Sequence, residues 1–167
     1  MPKVKKETKE KALAKGQSSS GRKKTEYYYA VGRRRESSAR VKLFTTGSEK
    51  IKVADKEYGS GEIVVNSRPV SKYFSGAIFE KLYMEPFRTT NTVGRFTTTA
   101  VISGGGIMGQ LNALIHGISR ALSKVDEDKF RPLLRKKGFI TRDPRAKERR
   151  KAGLAQKARA KKQSPKR

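Results

Sequence analysis

Apolar residues recur with two different periods along the middle of the chain, and these periods divide it into strands and helices. Order is expected to begin at Tyr27-Tyr28-Tyr29-Ala30-Val31. After the basic run Arg33-Arg34-Arg35, Ala39, Val41 and Leu43 alternate with Arg40, Lys42 and Phe44. Period two predicts a strand with one apolar and one largely basic face. Gly47 breaks that strand, and Ile51 and Val53 continue the alternation against Lys50 and Lys52. "YGSG" at 58–61 marks a turn, and Ile63-Val64-Val65 reads as a short buried strand ending at Asn66. In "NSRPVSKYF", Pro69 suits the first turn of a helix, where its missing N–H is no loss. Ala77 to Met84 predicts a second helix, stopped before Pro86. Phe96 to Ile102, "FTTTAVI", predicts a strand through its Thr and β-branched content.

The strongest helical pattern comes next. Ile107, Met108, Leu111, Leu114, Ile115, Ile118, Leu122 and Val125 recur at three- and four-residue steps, which puts them on one face. Gln110, His116 and Arg120 fall on the other side or at its margin. Phe130 to Lys137 predicts a shorter helix with Gly138 as its C-terminal stop. This mixed succession predicts an α+β fold, a small two-layer domain of sheet and helices.

Charge changes the picture. The 167 residues contain 41 Lys and Arg against 15 Asp and Glu, a net +26, unevenly spread. Residues 1–24 carry 9 basic and 2 acidic side chains, and residues 129–167 carry 17 and 2. The segment between them is nearly balanced and holds most of the bulky apolar residues. A body over 27–139 is therefore expected, with a basic flexible extension at 1–26 and an extended basic tail at 140–167. Such ends cannot bury a core, and like charges hold them open unless a polyanion neutralises them. There is no cysteine, so disulfides, thiol catalysis and cysteine-ligated zinc are excluded together. No apolar run approaches the ~20 residues of a membrane span, and the tail has no apolar face to lay on a membrane. The first residues carry no apolar signal core, so the chain is expected to stay where it is made, in the cytoplasm.

"SGGGIMGQ" at 103–110 contains the spacing G-x-G-x-x-G after a predicted strand and before a helix. A dinucleotide site also needs an acidic residue at the end of a second parallel strand. Lys124 to Lys129 is too polar for one, and Gly109-Gln110-Leu111 stands where a P-loop needs Gly-Lys-Ser/Thr. Two compatible readings remain. The glycines turn the chain and let the helix pack closely on the sheet, or their N–H groups meet a nucleic-acid phosphate. His116 is the lone histidine, and "DED" at 126–128 reads as a charged turn. No nucleophile, base and oxyanion site come together, and no cofactor, metal site or enzymatic activity is expected. The density of Lys and Arg calls for a polyanion, whose phosphates release counterions when neutralised. Composition leaves DNA and RNA open.

Longer blocks narrow the choice. "YYAVGRRRESSARVKLF" at 28–44, "GEIVVNSRPVSKYF" at 61–74, "SGGGIMGQLNALIHGISRAL" at 103–122 and the stretch from "LRKKGF" at 134 to the end resemble one family. It is the universal small-subunit ribosomal protein nine family, in its bacterial form. The resemblance runs from about residue 27 to the end. It implies an α+β fold with a left-handed βαβ crossover, and binding to ribosomal RNA in the head of the small subunit beside neighbouring ribosomal proteins. It also implies a tail whose last residues, Lys166 and Arg167, touch the peptidyl-site transfer RNA. A bacterial or a plastid ribosome would fit equally. The alternative is a basic DNA- or RNA-binding protein acting outside the ribosome.

Under that implication the ribosomal-RNA contacts are expected in three places. One is the basic cluster of Arg33, Arg34, Arg35 and Arg40, joined by Arg120 on the long helix. The second is the backbone of Gly104, Gly105 and Gly106. The third is the tail, through Arg142, Arg145, Arg149, Arg150 and Lys151, then Lys157, Arg159, Lys161 and Lys162. Two departures stand out. Asn66-Ser67 occupies the place of the family's usual Asn-Gly, which alters a tight turn. The chain ends Ser164-Pro165-Lys166-Arg167 rather than Ser-Lys-Arg.

Overall fold

The alternation near the start becomes a long antiparallel hairpin. In the computed structural model, which describes residues 27–45, 51–53 and 56–160, β1 (Tyr27–Arg34) pairs with β2 (Ser37–Thr45). Arg34 faces Ser37, so only Arg35 and Glu36 form the loop. The ladder therefore takes in Arg33 and Arg34, beyond the apolar run that marked the strand. Ala39, Val41 and Leu43 are fully buried while Arg40 and Lys42 are exposed, as period two requires.

β2 pairs on its other side with β7 (Phe96–Ser103), antiparallel. β5 (Ile63–Val65) lies parallel to β7, and β6 (Arg68–Pro69) closes the order β1-β2-β7-β5-β6. Between β5 and β7 the chain passes through α1 (Val70–Tyr73) and α2 (Ala77–Thr89), a βαβ crossover. β3 (Ile51–Val53) and β4 (Lys56–Tyr58) pair only with each other, so Ile51 and Val53 belong to a separate small hairpin rather than to a continuing strand.

The long helix α3 (Ile107–Val125) lies across β1 and β2 and buries Leu111, Leu114, Ile118 and Leu122 completely. α4 (Glu127–Lys136) adds Leu134, and α2 adds Tyr83 and Phe87. Each fully buried aliphatic side chain contributes ~1.5–3 kcal/mol. No helix among the described residues is long and apolar enough to cross a membrane.

Three local expectations are corrected. α2 does not stop before Pro86 but runs three residues past it. Pro86 removes one helical N–H, yet Phe87 is buried just beyond it, and the Thr89 and Thr90 hydroxyls donate to the Glu85 and Pro86 carbonyls. Pro69 sits at the N-cap of α1, one position before its first turn. The acidic run at 126–128 is a helix start rather than a turn. Asp126 caps α4 by accepting from the Lys129 N–H, and Glu127 and Asp128 sit at the positive end of the helix dipole. Gly138, at φ 76°, ends α4 as expected.

The β5–β6 turn explains one departure. The Asn66 side chain continues the ladder beyond β5, with Nδ2 donating to the Ile102 carbonyl at 3.0 Å and Oδ1 accepting from the Ile102 N–H at 2.9 Å. Both Asn66 (φ 48°) and Ser67 (φ 63°) are left-handed. A serine there carries a steric cost that glycine lacks, partly offset by glycine's freedom when unfolded. Ser67→Gly is expected to stabilise the protein by about 0.5–1 kcal/mol, read as a raised midpoint in urea. An unchanged or lowered midpoint would show that the turn is not strained.

Candidate nucleic-acid interface

The basic tail is fastened to the body before it leaves it. His116, expected at the margin of the apolar face, is buried. Its Nδ1 accepts from the Arg33 N–H at 3.2 Å, so the proton resides on Nε2, which donates to the Ile140 carbonyl at 3.1 Å. One neutral ring thus joins β1 to the segment following α4. Burial pushes His116 below its ordinary range, and Arg120 and Arg142 push the same way against the bond to Ile140.

Protonation would cost the Nδ1 acceptor, which fixes the direction of the pH dependence. A histidine depressed in the folded state contributes stability above its unfolded value of ~6.5 and loses it as pH falls through the lower folded value. Acidification from neutral pH to about 5 is expected to lower the thermal midpoint more in the wild type than in His116→Gln. Parallel pH profiles would remove His116 from the latch.

Three residues further, Arg34 grips the chain again. Its Nη2 lies 2.9 Å from Asp143 Oδ2, and its Nη1 donates to the Arg145 carbonyl at 2.9 Å. Asp143 also accepts from the Arg145 N–H and guanidinium. The bonds from Arg145, and then the charge of Arg34, hold its carboxyl well below the usual carboxylate range. Arg34 and Arg145, both expected to face RNA, are here bound to protein.

Between Asp143 and residue 160, the last one described, the tail has no helix or strand, but neither is it wholly extended. The Lys151 N–H donates to the Lys157 carbonyl at 3.1 Å, and Arg159 is paired through two bonds with Glu148, closing a loop. The two acidic side chains of the described tail are thereby matched with arginines. Arg142, Arg149, Arg150, Lys151 and Lys157 are exposed and have no acidic partner among the described residues.

The glycine turn bends the chain sharply against the β1–β2 hairpin, the first of the two readings its sequence allowed. Gly104 (φ 76°) and Gly105 (φ 62°) are left-handed, and a Cβ on Gly105 would lie 2.2 Å from Ser37 Oγ. Gly106 is extended and faces open space, so it needs no glycine. The turn is held by Ser37 and Gln110, which both donate to the Gly104 carbonyl at 3.1 Å. α3 has no side-chain cap at its start. Its first turn opens into a groove of about 720 Å³ whose charged lining residues are Arg35, Lys147 and Glu36. Uncapped N–H groups beside two cations suit a phosphate, with the Glu36 carboxylate opposing in part.

Arg120 differs from expectation. It donates to the Val31 carbonyl at 2.6 Å, and Lys124 donates to the Tyr29 carbonyl at 2.8 Å. β1 is an edge strand, and these two side chains blunt its free carbonyls. Arg33, Arg35 and Arg40 are exposed. Lys161, Lys162, Lys166 and Arg167, and the extension at 1–26, lie outside the described residues. Asp143 and His116 were missed as functional groups, because their partners lie 109 and 83 positions away along the chain. A family model described as ribosomal protein S9/S16 matches residues 32–167, a span that includes the glycine turn, His116 and the tail.

Proposed function

Because the chain belongs to the ribosomal protein S9/S16 family, a structural family of the small ribosomal subunit that binds its RNA, we propose that the body at 27–139 sits in the subunit head and that the tail at 140–167 runs from it toward the peptidyl-site transfer RNA. Support comes from the root of the tail. His116 and Arg34 fasten residues 140–145 to the hairpin, so the cations beyond them leave the body at a set place and direction. Arg33, Arg35 and Arg40 on the body, the N–H groups of the 104–106 turn, and Arg142, Arg149, Arg150, Lys151 and Lys157 on the tail are the groups proposed to meet ribosomal phosphates. Arg34, Arg120, Arg145 and Arg159 combine a contact within the protein with donors left over for RNA. Lys161 and Lys162 continue the same basic run, and neighbouring proteins of the head complete the surroundings.

Arginine suits this work because its planar fork grips two phosphate oxygens and stays charged. A cationic tip meets phosphates without reading sequence, as contact with every elongator transfer RNA requires. The chain is expected to co-sediment with small subunits at physiological salt, and failure to do so would defeat the assignment. Deleting Pro165 to Arg167 is expected to leave subunit assembly intact while weakening peptidyl-site transfer RNA by about 1 kcal/mol, roughly fivefold. Unchanged transfer RNA affinity would show that Lys166 and Arg167 make no such contact.

A further inference from the structure

The face of the sheet opposite α3 has no part in the tail or the glycine turn, yet it is built as a binding surface. Tyr29, Lys42 and Thr99 form one cross-strand row, and Val31, Arg40 and Val101 form the next. Cross-strand neighbours share a face. Tyr29 on the edge strand β1 is 40% exposed and Val101 on the central strand β7 is 52% exposed, large apolar surfaces left open on this face. With Tyr58 from β4 they enclose a hollow of about 470 Å³ that Arg40 and Lys42 border and no acidic side chain among the described residues lines.

We propose that this hollow takes an unpaired nucleotide of RNA, its base stacked on Tyr29 or Tyr58 and its phosphate held by Arg40 and Lys42. The proposal rests on the ribosomal-RNA reading above and names a second contact for it, separate from the tail. Each part of the hollow answers to the chemistry of a nucleotide. Its volume lies in the ~300–1,000 Å³ range of small-ligand sites. Tyrosine rings give any base a stacking platform that does not depend on sequence. Lys42 already lies over an aromatic ring, with Nζ 4.9 Å from the centre of Tyr27, and neither Lys42 nor Arg40 has an acidic partner among the described residues. A helical duplex would bring phosphates but could not lay a base on the rings, which selects a single strand. The chain's own beginning is a poor occupant, because residues 1–24 carry 9 basic and 2 acidic side chains and would be repelled by these cations.

The test uses the full-length chain and a hexauridylate carrying one internal 4-thiouridine, with excess RNA duplex present to occupy the tail. Photocrosslinking is expected to map to the peptides containing Tyr29 or Tyr58 and to survive the duplex. Tyr29→Ala is expected to lower hexauridylate affinity at least about fivefold, whereas Tyr29→Phe, which keeps the ring, stays within about twofold. Tyr29 is exposed on an edge strand, so the fold should tolerate both, and thermal melting checks this. If Tyr29→Ala is unstable, the exposed pair Arg40→Gln and Lys42→Gln decides, with a reduced crosslink expected. Crosslinks confined to 33–35 and to residues after 129, or lost to the duplex, would overturn the proposal. So would a concentration-dependent dimer with no crosslink on this face. Binding of the same chain to small-subunit ribosomal RNA is measured alongside. If that binding persists while the sheet face stays unlabelled, only this inference falls; if it is absent, the ribosomal-RNA reading falls first.

Discussion

Alanine in place of Gly32 is expected to destabilise the fold by at least about 3 kcal/mol, the largest effect expected of any single added methyl group. Gly32 lies on β1 where α3 crosses it. A Cβ there would stand 1.9 Å from the Ala113 carbonyl oxygen and 2.4 Å from the Gly117 nitrogen. Both are backbone atoms inside a helix, so no side chain can swing away. Gly117 repeats the constraint from the helix side, with its hypothetical Cβ 2.6 Å from a Val41 methyl. Relief would require α3 to lift off the hairpin and expose parts of Leu114 and Ile118 that are now fully buried. Overpacking usually costs ~1–3 kcal/mol, and forced separation of two backbones belongs at or above the top of that range. A domain stable by only ~5–15 kcal/mol would lose a large share of that margin and melt well below the wild type. Gly106→Ala is the control, since its Cβ meets nothing within 4 Å. Cooperative melting of Gly32→Ala within a few degrees of wild type, followed by circular dichroism, would show that helix and strand are not in the close contact described.

Most of this architecture was legible because it rests on local periodicity. The three- and four-residue steps from Ile107 to Val125 gave one helix whose apolar face is buried from Leu111 to Leu122, although Ile107 and Met108 at its start are exposed, and the alternation at 39–43 placed Arg40 and Lys42 on the outer side of the sheet. Where long-range packing decides, local rules gave the wrong answer. Proline ends helices in isolation, but burial of Pro86 and Phe87 carries α2 through it. His116 stood at the margin of a helical wheel, and nothing local tells that the Ile140 carbonyl will cover it. The candidate interface was legible as charge and not as geometry. Counting cations could not separate Arg145 and Arg159, matched to Asp143 and Glu148, from Arg149 and Arg150, which are not. The glycine spacing likewise looked like a nucleotide fingerprint, yet Gly104 and Gly105 answer to Glu36 and Ser37 on the neighbouring hairpin.

That separation of matched from unmatched cations sets the second large effect. Replacing Arg149, Arg150 and Lys151 together with glutamine is expected to lower affinity for small-subunit ribosomal RNA on the order of a hundredfold, if each phosphate contact is worth roughly 1 kcal/mol. All three side chains are exposed, and the only acidic residues of the described tail are already bound to Arg34, Arg145 and Arg159. Their charge is therefore available to an outside anion and is compensated by no group among the described residues. The logarithm of affinity should also fall less steeply with salt, the slope decreasing by about 2–3 for three lost contacts at ~0.7–0.9 each. Stability should hardly change, because none of the three touches the core, and the thermal midpoint checks that point. Arg145→Gln offers the contrast. Its guanidinium is held by Asp143, so losing it also frees a carboxylate for Arg34, and the slope is expected to move by less than about one. The triple variant thus tests whether affinity comes from phosphate neutralisation by unmatched cations rather than from total positive charge. A salt slope unchanged in the triple variant, or altered as much by Arg145→Gln alone, would place these three side chains in solvent within the complex.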